Sequence, residues 1–219
     1  MKPTAVVTGG SKGLGEVIAT FLARTGYDVV ITGRSEEALA RTAKRIGVRV
    51  VAGDVSDPND RKRLADNTGD VAILVNNASE LGTIRPLVES EPDELRRIFD
   101  VNVIAPIALV QALRPGLVVN ITSDAAVGAY EGWGGYGSSK AALELVSRTL
   151  AAEGIHSVTV DPGDMRTDMH QAAFPGEDIS DRPAPDITIP FWAWLFQQDA
   201  ASLDGRRFQA QGERWEEAS

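Results

Sequence analysis

Three side chains between Ser123 and Lys140 are of types that can move a proton. Tyr136 and Lys140 stand four residues apart, and the run SSKAALELVSRTLAA predicts a helix beginning near Tyr136. That spacing stacks the phenol and the ammonium on one helix face. A free tyrosine titrates near pH ~10 and is a poor acid or base at neutrality. A neighbouring positive charge favours the phenolate, so Lys140 is expected to lower the Tyr136 pKa toward the useful range. Ser123, across a glycine-rich loop, is placed to hold a carbonyl oxygen for the tyrosine to protonate. A tyrosine and a lysine at helical spacing are common, so the pair takes its meaning from the elements that position it.

Those elements begin at the N-terminus. Residues 4 to 8 (TAVVT) read as a short buried strand, and Thr8 through Gly15 carry T-G-x-x-x-G-x-G. A helix follows, with Leu14, Val17, Ile18, Phe21, Leu22 and Thr25 at helical spacing. Gly26 ends it, and DVVIT (28 to 32) forms the next strand. Glycines in a turn between strand and helix allow close backbone approach, and amides at the helix N-terminus can face a pyrophosphate. Thr8, Gly9, Ser11, Lys12, Gly13, Leu14 and Gly15 are therefore candidate cofactor-binding residues; a purely structural glycine turn is the alternative. After the second strand stands Gly33-Arg34-Ser35, with no acid for the ribose hydroxyls of NAD. Arg34 suits a 2′-phosphate, and Lys12 adds a second positive charge, so NADP(H) is expected over NAD(H).

Further strands are predicted at 49 to 52, 71 to 75, 117 to 122, 155 to 160 and 207 to 210, alternating with helices at 36 to 46, from Asn59 to Asn67, and over a long stretch after Pro92. Strands and helices in this alternation give a doubly wound parallel sheet of the α/β class by the right-handed crossover rule. Asp54 and Val55, Asn76-Asn77-Ala78-Ser79, Ser123 and Pro162-Gly163 all fall at carboxyl ends of strands, where ligands gather in such sheets. Asn102 is a polar residue in an apolar stripe of Leu95, Ile98, Phe99 and Val103, and so needs a partner.

With 219 residues, 43% of them hydrophobic, the chain is long enough for one core, and a single domain over 1–219 is expected. The net charge of -9 without a basic block argues against nucleic acid or an anionic membrane as partner. There is no cysteine, which rules out disulfides and thiolate metal sites and fits a reducing compartment. No signal-peptide profile or bilayer-length apolar run is present, so a soluble cytoplasmic protein is expected.

Taken in order, these motifs resemble those of the short-chain dehydrogenases/reductases over nearly the whole chain: T-G-x-x-x-G-x-G, Asn76-Asn77-Ala78, Asn102, Ser123, Tyr136-x-x-x-Lys140, and Pro162-Gly163 with Thr167 beyond. The resemblance implies a Rossmann fold and hydride transfer between a nicotinamide and a small-molecule carbonyl or secondary alcohol. It implies catalytic roles for Asn102, Ser123, Tyr136 and Lys140: the serine orients the carbonyl, the tyrosine exchanges the proton, the lysine lowers the tyrosine pKa and binds the nicotinamide ribose, and the asparagine holds a relay water. It assigns cofactor contacts to Asp54, Val55, Asn76, Ala78, Tyr136, Lys140, Pro162, Gly163 and Thr167. Ser79 departs from the family's glycine. Residues 165 to 189 are expected to form a substrate lid with His170 on its surface. A homodimer is expected through the helices carrying Asn102 and Lys140, where Ile104, Ile107, Leu109, Val110, Ala141, Leu145, Arg148 and Thr149 lie. The altered C-terminal GERWEEAS puts the family's tetramer contacts in doubt, while Phe191, Trp192 and Trp194 leave another apolar surface open to a homotetramer. The rival reading is a non-catalytic, dinucleotide-binding regulatory protein on the same fold.

Overall fold

A computed structural model describes residues 2–215; the last four residues of the GERWEEAS tail lie outside them. The strands are β1 (Thr4–Thr8), β2 (Asp28–Thr32), β3 (Arg49–Val50), β4 (Val71–Asn76), β5 (Leu117–Ile121), β6 (Ser157–Asp161) and β7 (Arg207–Gln209). The helices are α1 (Gly13–Arg24), α2 (Glu36–Ile46), α3 (Pro58–Asp66), α4 (Pro92–Phe99), α5 (Ala105–Leu113), α6 (Gly134–Ala152), α7 (Asp168–Ala173) and α8 (Ile189–Leu195). All strand pairs are parallel, in the order β3-β2-β1-β4-β5-β6-β7. β1 lies between β2 and β4, in register with β2 from Thr4 opposite Asp28 to Thr8 opposite Thr32.

The strands read as continuous apolar runs because helices cover both faces of the sheet. Successive residues alternate faces. Val7, Ile31, Ile18 and Leu22 join Phe191, Trp192 and Phe208 on one side, while Val6, Val30, Leu74 and Val118 meet Leu64, Leu109 and Leu113 on the other. Phe191 and Trp192 are fully buried and the Trp192 indole donates to Thr188 Oγ1 at 2.9 Å, so they do not form the open apolar surface expected of them.

Local signals set most boundaries. Ser35 accepts from the Ala38 amide at the start of α2, and Gly47 ends that helix in the left-handed region at φ 73°. Asp57 caps α3 through the Asn59 amide, which puts Pro58 at the first helical position. β3 stops at Val50, short of Ala52, because it is an exposed edge with a single neighbour. The helix after Pro92 is not uniform: residues Asp100–Ile104 form a π-helical bulge between α4 and α5. Such bulges gather at functional positions, and Asn102 sits at the centre of this one. No helix among the described residues is long and apolar enough to cross a membrane.

Candidate active site

α6 carries Tyr136 and Lys140 one turn apart, both buried, with the Lys140 Nζ 5.5 Å from the centre of the Tyr136 ring. The ammonium donates to the Ile121 carbonyl at 2.8 Å. β5 delivers Ser123 to its end, where the Oγ accepts from the Ala125 amide at 3.1 Å and donates to Asp124 Oδ1 at 2.9 Å. The expected lowering of the tyrosine pKa is not what this arrangement produces. Burial pushes the Tyr136 phenol up to about 12, with Asp161 and Asp124 adding to the rise and the hydroxyls of Ser79 and Ser123 opposing it. Burial also pulls Lys140 down to about 7. Desolvation disfavours the charged form of either group, and it is the largest cause of both shifts.

Asn102 stands behind the cleft with its amide fully committed. Its Oδ1 accepts from the Ser79 hydroxyl at 3.1 Å and the Glu80 amide at 2.8 Å, while its Nδ2 donates to the Glu80 carbonyl and to Ser139 Oγ, each at 2.9 Å. Four bonds engage all the donors and acceptors of the side-chain amide. These bonds tie the loop after β4 to α6; Ser139 also donates to the Tyr136 carbonyl at 2.7 Å.

A cleft of about 770 Å³ runs across the carboxyl ends of the strands and is lined by Ser123, Tyr136, Lys140 and the glycine turn. Gly9 has φ 64°, and a Cβ at Gly15 would lie 2.4 Å from the Gly9 carbonyl oxygen and 2.5 Å from Asn77 Nδ2, so the turn admits no side chain there. Asn77 Nδ2 braces the turn by donating to the Thr8 carbonyl at 2.8 Å, and Thr8 Oγ1 accepts from the Asn77 and Ala78 amides at 3.0 and 2.9 Å. At the head of α1, the N-cap Lys12 makes no side-chain cap bond. That leaves first-turn amides for an anionic group, which is the arrangement a pyrophosphate fits.

Of the expected cofactor residues, Gly9, Ser11, Lys12, Gly13, Leu14, Gly15, Arg34, Asp54, Val55, Ala78, Pro162, Gly163 and Thr167 line this cleft. Thr8 and Asn76 lie behind it. Asn76 donates across the sheet to Asn120 Oδ1 at 2.8 Å, and its neighbour Asn77 is the asparagine that faces the cleft. Asp54 is spent on Arg97 at 2.7 Å and on the Ser56 amide and hydroxyl at 2.9 and 2.7 Å. Burial alone would raise its pKa, but Arg97 and Ser56 outweigh that and hold it at about 2. Lys12 and Arg34, the two cations expected to meet a 2′-phosphate, both have acidic partners. Lys12 meets Asp168 at 2.6 Å, and Arg34 lies 3.5 Å from Glu80, which also faces Arg97 at 3.8 Å. Both acids are remote in sequence, so reading the neighbours of Lys12 and Arg34 could not find them.

His170 is not the surface residue expected. Its side chain is 11% exposed, its ring packs 5.0 Å from that of Phe174, and it lines the cleft. Trp133, which sequence reasoning passed over, sets its ring edge against Tyr136 at 5.9 Å. Beneath Ser123, Arg207 of β7 donates to Glu144 Oε1 at 2.9 Å, Asp161 Oδ2 at 3.0 Å and the Ser123 carbonyl at 3.3 Å. No local pattern marks Arg207 or Glu144; their isolated charges read as solvated. Ser79 did carry a signal, in its departure from the glycine of the motif.

A family model described as short chain dehydrogenase matches residues 3–178. The uncharacterised oxidoreductase YciK of Escherichia coli K12 is 31% identical, covering 94% of this chain and 90% of the relative. Among solved structures, a short-chain dehydrogenase from Shigella flexneri 2a, complexed with NADP, superposes with a TM-score of 0.88 at 29% identity, over 96% of this chain and 97% of the other. One from E. coli CFT073, complexed with NADPH, gives 0.87 at 30% identity with the same coverage of each chain.

Proposed function

The chain belongs to the short-chain dehydrogenase family and is an NAD(P)-dependent oxidoreductase; from that premise we propose that it interconverts a carbonyl and a secondary alcohol, with NADP(H) as cofactor and Tyr136 as general acid and base. The observation that carries the reading is the meeting of Ser123, Tyr136 and Lys140 in one cleft with the glycine turn, Lys12 and Arg34. A bound nicotinamide supplies or accepts the hydride. The protein's part is proton transfer and orientation. Tyr136 gives its proton to the carbonyl oxygen in reduction and takes one from the alcohol in oxidation. The Ser123 hydroxyl, turned from Asp124, holds the substrate oxygen. Lys140 is the residue for the nicotinamide ribose, the α1 N-terminus for the pyrophosphate, and Arg34 with Lys12 for the 2′-phosphate. A turnover screen of small ketones and alcohols with NADPH and NADP⁺ tests the reading, and failure of every pair would overturn it.

NADPH is expected to bind at least about tenfold more tightly than NADH, since charge-assisted contacts to a phosphate are among the stronger hydrogen bonds. The acids on Lys12 and Arg34 do not reverse this. Both cations are two-thirds exposed, and exposed ion pairs contribute at most about 1 kcal/mol, so a 2′-phosphate displaces them. Replacing Lys12 and Arg34 together by alanine should erase most of the preference in equilibrium binding; equal affinities in the native protein would refute it.

A homodimer is proposed through the α5 and α6 faces. Leu109 and Val110 fill the monomer core, but Ile104 is 50% and Leu145 57% exposed, and apolar residues left outside the core call for a partner. Light scattering at micromolar concentration should return a dimer mass; a monomer mass removes the proposal, and a tetramer mass would show that a second face also pairs.

A further inference from the structure

Of the two acids that pair with Lys12 and Arg34, Glu80 belongs to the loop after β4 and Asp168 to the first turn of α7. α7 lines the cleft through Met169, His170 and Ala173. Asp168 Oδ2 accepts from Lys12 Nζ at 2.6 Å across 156 residues of sequence. The neighbouring Thr167 lies over the glycine turn, where a Cβ built on Gly13 would come within 3.6 Å of its methyl group. The head of α7 is thus fastened to the head of α1. We propose that Lys12 and Asp168 form a latch between α7 and the glycine turn, and that the 2′-phosphate of NADP(H) competes with Asp168 for the ammonium, so that NADP(H) releases α7 and NAD(H) leaves it fastened.

Charge decides the competition. An ammonium has three protons, so hydrogen-bond capacity by itself would let a phosphate and a carboxylate share Lys12. A phosphate monoester carries a charge of about −1.5 to −2 at neutrality, however, and bringing it to Lys12 sets it beside a carboxylate of like sign. One positive charge does not offset both. Asp168 is the partner that leaves, because its side chain is 76% exposed and returns to water at little cost, whereas the phosphate also gains Arg34.

The other acids nearby do not act on α7. Glu16 of α1 is engaged by Arg45, and Glu80 by Arg97 as well as Arg34. Releasing Arg34 therefore leaves Glu80 with a cation and moves no part of α7. Asp168 is the acid whose release frees an element of the cleft wall. Thr167 continues to cap that helix, accepting from the His170 amide at 3.2 Å, so α7 persists as a helix when the latch opens.

The inference rests on the reading of Lys12 as a 2′-phosphate residue, and coupling of this kind is reciprocal: a phosphate that loosens α7 is itself favoured by the loss of the Asp168 charge. Calorimetric titration should show NADPH binding about two- to fivefold more tightly to Asp168→Asn than to the native protein, the range that an exposed ion pair spans, with NADH affinity unchanged. Adding Lys12→Met should abolish the gain. In hydrogen exchange, the α7 amides should exchange about two- to fivefold faster in Asp168→Asn than in the native protein, both without cofactor and with saturating NADH, and at equal rates once NADPH saturates both. Unchanged NADPH affinity in the variant, or α7 rates that already match without cofactor, overturns the proposal. So does a gain shared equally by NADH, which would mean a general charge effect on the cleft, and so does weaker NADPH binding, which would mean that Asp168 holds Lys12 for the phosphate. If the native protein binds NADPH and NADH alike, the 2′-phosphate reading itself falls; if it prefers NADPH while Asp168→Asn alters neither affinity nor exchange, this inference falls alone.

Discussion

Tyr136→Phe is expected to lower turnover by roughly 10²–10⁴ while leaving cofactor affinity and stability nearly unchanged, because general acid catalysis contributes a factor of that order. The substitution keeps the ring and its edge contact with Trp133 at 5.9 Å. It strands no polar partner, since Ser79 retains Asn102 and Ser123 retains Asp124. Lost stability should therefore stay within about 1 kcal/mol, the net worth of an ordinary hydrogen bond. Steady-state kinetics with equilibrium binding of NADPH separates the effects. Near-normal turnover would sink the mechanism, and a parallel collapse of cofactor binding would mean that the phenol serves chiefly to bind.

Arg207→Met should cost about 3–5 kcal/mol of stability, the usual penalty when one member of a buried ionic cluster is removed. Arg207 is the cation shared by Glu144 and Asp161, whose side chains are each 6% exposed. Thr122 continues to donate to Glu144 Oε1 at 2.7 Å and the Gly163 amide to Asp161 Oδ1 at 3.0 Å, but neither brings charge. For Asp161, burial already raises the carboxyl pKa, against the Gly163 amide and Arg207, which lower it. Without the guanidinium it rises further. An acid whose folded pKa lies above its unfolded value penalises the fold once the pH passes the unfolded value, near ~4. The deficit should therefore be full at neutrality and narrow as the pH falls toward that value. Urea unfolding at neutral and mildly acidic pH measures this, and a loss under about 1 kcal/mol at neutrality would refute it. Turnover should fall too, because Arg207 holds the carbonyl of Ser123.

What the sequence by itself determined is what depends on neighbours along the chain. Apolar runs of strand length set the parallel sheet, the glycines of Thr8 to Gly15 set the turn that meets α1, and the four-residue step from Tyr136 to Lys140 put both side chains in one cleft. The limits of that reading appear where two distant segments meet. Glu80 pairs with Arg34 across 46 residues and Asp168 with Lys12 across 156; the crossovers of the sheet bring them together, and no local pattern encodes such a pair. The Tyr136 pKa is another case. Helical spacing names the nearest charge, but the sign of the shift is set by how much water the whole fold removes, and burial of both side chains turned the expected lowering into a rise. Asn102 announced that it needed partners, yet only the fold could supply them from the loop after β4 and from α6. Side-chain direction and burial are three-dimensional sums over many segments, and so it was the tertiary structure that decided which of the legible residues face the cleft and in what state of charge.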